Sequence, residues 1–214
     1  MNEIVAPRPS RRYLRTAGEL LTALLVSMAL SGCGGGRPIK YYQVSYPPAA
    51  PAKSDAIEAI LMVRTFDSSH LYLDDRIVYG FDSPEMGTYE YQRWVEPPVA
   101  ILQDSLVRGL RASGLFRGVF GLRSDVNGGF ILAGHLYDFK EVDGSTIVAR
   151  LSYEARMRDR KSGLTVWSFT YSHDEPAAEK SVTAVVQAMD KNVQRSVQEL
   201  QASLEQYFRS HPVK

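Results

Sequence analysis

A single cysteine, Cys33, ends the run Leu30-Ser31-Gly32-Cys33 and marks where the foldable part of this 214-residue chain begins. Ahead of it come the basic residues Arg8, Arg11, Arg12 and Arg15, then an apolar run over residues 20–30. A charged stretch, an apolar stretch and small residues, in that order, are the grammar of a secretory signal peptide. The apolar run has about eleven residues, too few for a bilayer core that needs roughly twenty. Ser10-Arg11-Arg12-Tyr13-Leu14 lacks the full apolar pair of a twin-arginine signal and reads as an ordinary basic lead-in. With one thiol, no internal disulfide can form, so stability has to come from a core.

Cysteine directly after Leu-Ser-Gly is the lipobox pattern. There the thiol takes a diacylglycerol, the leader (1–32) is cut away, and the new amino group is acylated. Two or three acyl chains anchor a protein stably where one does not. The expected product is tethered to the membrane, palmitate or a similar acid on Cys33, without spanning it. Gly34 occupies the position where Asp would mark retention at the inner membrane, and it points to the periplasmic face of the outer membrane. Residues 33–40 read as the lipidated cysteine and a short tether, since the seven residues 34–40 reach at most about 25 Å. The folded body, expected over 41–210, is therefore held near its membrane.

Removal of 1–32 leaves 182 residues, a comfortable size for one domain. They carry 21 basic against 22 acidic residues, with no basic face of the kind nucleic acid requires. Tyr41-Tyr42-Gln43-Val44-Ser45-Tyr46 reads as a strand, Pro47-Pro48-Ala49-Ala50-Pro51-Ala52 as a stiff connector, and 56–66 as a buried strand. Ile77-Val78-Tyr79-Gly80 and Tyr89-Glu90-Tyr91-Gln92-Arg93-Trp94 flank a hairpin loop. Pro97-Pro98 opens a helix with Val99, Leu102, Leu106 and Leu110 at helical spacing, and Ser113-Gly114 ends it. A strand follows, then a three-strand meander over 130–139, 146–158 and 164–173. In its middle strand Ala149, Leu151, Tyr153, Ala155 and Met157 alternate with Arg150, Ser152, Glu154, Arg156 and Arg158. Pro176 is expected to introduce a terminal helix whose stripe runs Val182, Val186, Met189, Val193, Val197, Leu200, Leu204, Phe208. The fold class is α+β: one domain, an antiparallel-rich sheet with two helices packed on one face.

The histidines His70, His135, His173 and His211 form no metal-ligand pattern and have no cysteine partner. His135, among apolar strand neighbours, reads as a half-buried structural residue. His173-Asp174-Glu175 reads as an acidic cluster at a helix start, and Asp74-Asp75 as turn chemistry. There is no GxSxG elbow and no phosphate-binding glycine loop. Catalytic residues, metals and cofactors are all expected to be none, and the chain reads as a non-enzyme. Aromatic residues cluster on one hairpin; core packing is the plainer reading, and Tyr79, Tyr89, Tyr91 and Trp94 are the candidate partner contact.

From Tyr42-Gln43-Val44 the chain runs through Arg93-Trp94-Val95-Glu96-Pro97-Pro98, the leucine-striped helix and Ser113-Gly114-Leu115-Phe116. Gly134-His135-Leu136-Tyr137-Asp138-Phe139, Arg158-Asp159-Arg160-Lys161-Ser162-Gly163 and a terminal helix with Ala188-Met189 follow. In that order these segments resemble the ABC-type transport auxiliary lipoprotein component family, which includes the third protein of the paraquat-inducible operon. Val44 stands where the family usually has leucine. The resemblance implies a lipoprotein working with an ABC transporter and a mammalian-cell-entry (MCE) domain protein to move phospholipid between the inner and outer membranes. It implies an MCE protein assembly as partner and, because such assemblies are rings, a homo-oligomer ring as the matching form. Only Cys33 carries over as a defined site. The competing reading, an outer-membrane lipoprotein that activates a cell-envelope enzyme, would want a longer tether; a secreted hydrolase would want a nucleophile or metal pattern. Cys33→Ala is expected to abolish incorporation of a palmitate analogue and to leave unprocessed precursor. Equal labelling of both proteins would refute the lipobox reading.

Overall fold

The structure, a computed structural model, describes residues 37–45, 56–81, 83–121 and 127–213. The chain divides into Met1–Pro38, of which only the exposed Arg37 and Pro38 are described, and Ile39–Lys214. Cys33, the leader, Tyr46 and the proline-rich connector lie outside the described residues. Strands β1 (Lys40–Tyr42), β2 (Ile57–Val63), β3 (Asp67–Ser68), β4 (Arg76–Phe81) and β5 (Met86–Trp94) precede helix α1 (Pro98–Ala112). Then come β6 (Phe116–Gly121), β7 (Phe130–Asp143), β8 (Val148–Asp159), β9 (Thr165–Pro176) and helix α2 (Val182–Ser210).

β7 has 14 residues and organises the rest. At about 3.3 Å per residue it runs roughly 46 Å. One edge pairs antiparallel with β8, from Phe130↔Asp159 to Val142↔Val148. The other edge takes three successive segments of one stretch of chain, all parallel: β2 at Leu61↔Phe130, β3 at Asp67↔His135, β4 at Val78↔Lys140. β6 extends the sheet beyond β2, and β5 then β1 extend it beyond β4, while β9 closes the far side against β8.

The sheet is therefore mixed, with five parallel pairings against three antiparallel, and the expected antiparallel-rich sheet is corrected. The three antiparallel pairs are those joined by short turns, which leave a local signal. Parallel pairs are joined by long crossovers and leave none. The first strand is also shorter than expected, three residues, and the buried strand of 56–66 stops at Val63.

The meander has the expected two-faced pattern: Ala149, Leu151, Tyr153, Ala155 and Met157 are fully buried. On the opposite face Ser152 is also buried, because its hydroxyl donates to Asp138 Oδ2 at 2.7 Å. The register shifts between Leu136 and Asp138, leaving Tyr137 as the extra residue of a bulge. Upstream, Gly134 has no room for a side chain: a Cβ there would strike the Glu154 carbonyl and the ring of Phe66. That bare stretch lets Phe66 lie against the strand and meet Tyr153 edge-on at 5.9 Å.

α1 begins at Pro98 and buries Val99, Leu102, Leu106 and Leu110, and Ser113 caps it ahead of Gly114, as its sequence implies. α2 starts later than Pro176, which instead completes β9. Ser181 is the cap, its Oγ accepting from the Ala184 amide at 3.1 Å. The predicted stripe faces inward from Val186 to Phe208, with Val182 at its margin. α2 lies over β8 and β9 and meets α1 where Gly109 admits Val197.

Asn192, fully buried on α2, fixes that packing. Its Nδ2 donates to the carbonyls of Ala149 on β8 (2.8 Å) and His173 on β9 (2.9 Å). Its Oδ1 accepts the Tyr171 hydroxyl at 2.6 Å. One buried side chain thus hydrogen-bonds to two strands at once. Nearby, Tyr153 donates to the Ser196 carbonyl at 3.3 Å and Trp167 Nε1 to Ser203 at 3.2 Å. Asn192→Ala is expected to cost about 3 kcal/mol by removing three buried hydrogen bonds and leaving a cavity. That corresponds to roughly 10 °C in Tm for a domain of this size. An unchanged thermal midpoint would refute the assignment.

Candidate functional site

The structure separates the four candidate contact residues. Tyr79 on β4 and Tyr89 on β5 share a face, their rings 4.9 Å apart and tilted by 53°. Tyr89 donates its hydroxyl toward both carboxylate oxygens of Glu141 on β7, each at 3.1 Å. Glu141 is only 5% exposed, and burial, opposed by the Tyr89 bond, pushes its carboxyl above the usual range. Burial and the neighbouring carboxylate push the Tyr89 hydroxyl up as well. Tyr91 stands apart, its hydroxyl paired with Glu90.

Trp94 belongs to the core: it is 1% exposed and packs edge-on against Phe139 at 5.3 Å. It offers no surface to a partner. Its Nε1 and the Nε of Arg93 are buried without a hydrogen-bond partner among the described residues. The part of the hairpin open to a partner is its tip. Phe81 (49%) and Met86 (44%) are exposed there, beside Tyr79, whose ring meets Phe81 edge-on at 6.3 Å.

Two further hollows were not legible in the sequence. On the polar face, Arg64, Asp67, His135, Tyr137, Glu154 and Arg156 line one of about 460 Å³. Two of its charges are tied together, Arg156 on Glu154 at 2.6 Å, and His135 is half-buried against Tyr137 at 4.7 Å. A groove of about 210 Å³ between the helices is lined by Ser105, Gly109, Val193, Val197, Gln198 and Gln201, among others. Both collect residues from segments distant in the chain, so no local motif marks them.

His173, Asp174 and Glu175 close β9 and do not begin a helix, which corrects the dipole reading. Asp174 is held by two bonds from Arg150 (2.8 and 2.7 Å), which lower its pKa. Glu175 takes His173 at 3.2 Å and Arg195 at 3.3 Å. Asp74 accepts the Arg76 amide at 3.0 Å and Asp75 pairs with Arg93 at 2.7 Å, turn chemistry as its sequence suggests. Among the described residues no group of three His, Cys, Asp or Glu could hold a metal ion, and no helix is long and apolar enough to cross a membrane.

The described geometry is that of a mixed-sheet α+β domain. A family model for the ABC-type transport auxiliary lipoprotein component matches residues 42–201, and the chain belongs to that family. Among curated proteins none matches the chain. Of solved structures, protein XCC0632 from Xanthomonas campestris is similar at 20% identity and TM-score 0.70, over 80% of this chain and 98% of that one. An uncharacterized protein is similar at 13% identity and TM-score 0.63, over 78% of this chain and 99% of that one. At these identities the likeness is one of fold.

Glu141 supplies a test of the hairpin cluster. A carboxyl whose pKa is raised by folding contributes no penalty below its ordinary value of 4.5 and destabilises the fold as pH rises through the shifted value. Glu141→Gln keeps an acceptor for Tyr89 and is expected to raise the melting temperature at neutral pH. The gain should shrink as the pH falls to 4.5 and below. A variant less stable than wild type at neutral pH would show that the ionised carboxylate is needed there.

Proposed function

We propose that the mature domain is the outer-membrane, lipid-anchored auxiliary component of an ABC/MCE-type system that carries phospholipid between the two membranes. It acts by binding the MCE protein assembly and performs no turnover of its own. The observation that carries this reading is the family match over residues 42–201. The pairing of the buried Glu141 and the half-buried Glu175 and Asp138 with structural partners supports it. A homo-oligomer ring is the form that fits a ring-shaped partner, closed symmetry being the common rule for soluble assemblies. The contact surface is the hairpin tip, where Tyr79 from the sequence-based set is joined by Phe81 and Met86.

The experiment is co-purification of the tagged full-length lipoprotein with the MCE protein encoded beside it, followed by mass measurement of the complex. Several copies of the lipoprotein per complex are expected. Phe81→Asp should weaken association by about thirtyfold or more if the tip is a binding hot spot. A strictly monomeric lipoprotein that retains no MCE protein at micromolar concentration would overturn the proposal.

A further inference from the structure

Nine large apolar residues are conspicuously exposed among the described residues, and four of them meet in one corner of the domain: Ile39 (45%), Tyr41 (59%), Leu73 (58%) and Val95 (52%). Backbone pairing brings them together. Tyr41 on β1 stands opposite Arg93 on β5, which stands opposite Arg76 on β4. The Val95 amide donates to the Tyr42 carbonyl at 2.8 Å, and the Trp94 amide to the Asp75 carbonyl at 2.6 Å, drawing in the turn that holds Leu73. Single exposed apolar residues are ordinary on any surface, but a cluster of them marks a contact.

The corner also has a fixed position along the chain. Ile39 is its first residue, and only six residue steps separate Ile39 from Cys33, a reach of at most about 22 Å. A domain of this size is roughly 40 Å across. Whatever holds Cys33 therefore lies within about 22 Å of Ile39, roughly half the width of the domain, and this corner is within its reach. We infer that the surface formed by Ile39, Tyr41, Leu73 and Val95 rests in the headgroup layer of the anchoring phospholipid bilayer and sets the orientation of the domain on it. The inference depends on the reading that Cys33 carries the lipid.

The chemistry suits that occupant. Tyrosine favours the boundary between headgroups and acyl chains, where its ring is buried and its hydroxyl is wet. The charges nearly cancel: Asp75 neutralises Arg93, leaving Lys40, Arg76 and, two residues before Ile39, Arg37 against Asp74 and Glu96. Attraction to the bilayer is then apolar, a zwitterionic surface suffices, and added salt has little effect.

The test uses the full lipidated protein in vesicles of phosphatidylcholine brominated on its acyl chains. Tyr41→Trp places an indole in the corner, Val95→Trp gives a second probe, and Leu164→Trp, at a site 66% exposed in the β8–β9 turn, is the control. The added fluorescence of the first two should be quenched in brominated vesicles, unchanged by salt, while that of the third is not. Flotation with the vesicles reads the anchor separately. Protein that floats but shows no quenching at either corner position, equal quenching at all three, or quenching abolished by salt overturns the inference. Protein that fails to float overturns the lipid-anchor reading and the inference with it.

Discussion

A strand has two edges, and an unpaired edge inside a domain leaves amides and carbonyls without partners. β7 meets that constraint fully on one edge and in three stretches on the other, and the other elements take their positions from it. β8 follows one edge from end to end, while β2, β3 and β4 divide the other edge between them. Because the second edge is shared out, the sheet forks, β2 and β6 going one way and β4, β5 and β1 the other. Asn192 then ties α2 to β8 and β9, so the helix is registered against strands that are themselves registered against β7.

What could be read from the chain was local. Alternation in 149–157, the proline-opened and serine-closed α1, and the stripe of α2 each depend on residues a few positions apart. The parallel pairings lie between distant segments, 52 residues apart at Lys40↔Gln92 and 69 at Leu61↔Phe130, and nothing near either strand announces them. Pro176 misled for a related reason: proline also suits the end of an edge strand, and the stronger start signal was Ser181, whose hydroxyl accepts the Ala184 amide.

The candidate surface was half legible. Aromatic density on the hairpin was plain, but which rings face outward depends on a register the sequence does not display. β5 puts Tyr89 and Trp94 on the inner face five residues apart, an odd spacing that simple alternation would assign to opposite faces. Trp94 went to Phe139 and Tyr89 to Glu141, leaving Tyr79 beside the less conspicuous Phe81 and Met86. Glu141 itself gave no sign of being buried, since its partner is brought to it from β5, 52 residues away in sequence.

The sharing of β7 also governs when this domain can form. A ribosome releases this chain N-terminus first. Until residue 130 has followed, β2 and β4 lack their central partner, and only pairs within the leading half, β4 and β1 with β5 and β2 with β6, and the turns of α1 can form. Closing such distant contacts is entropically costly and slow compared with local helix formation. The leading half of the polypeptide is thereby kept from closing its core by the topology itself, and the tertiary structure locks only once the second half has been made.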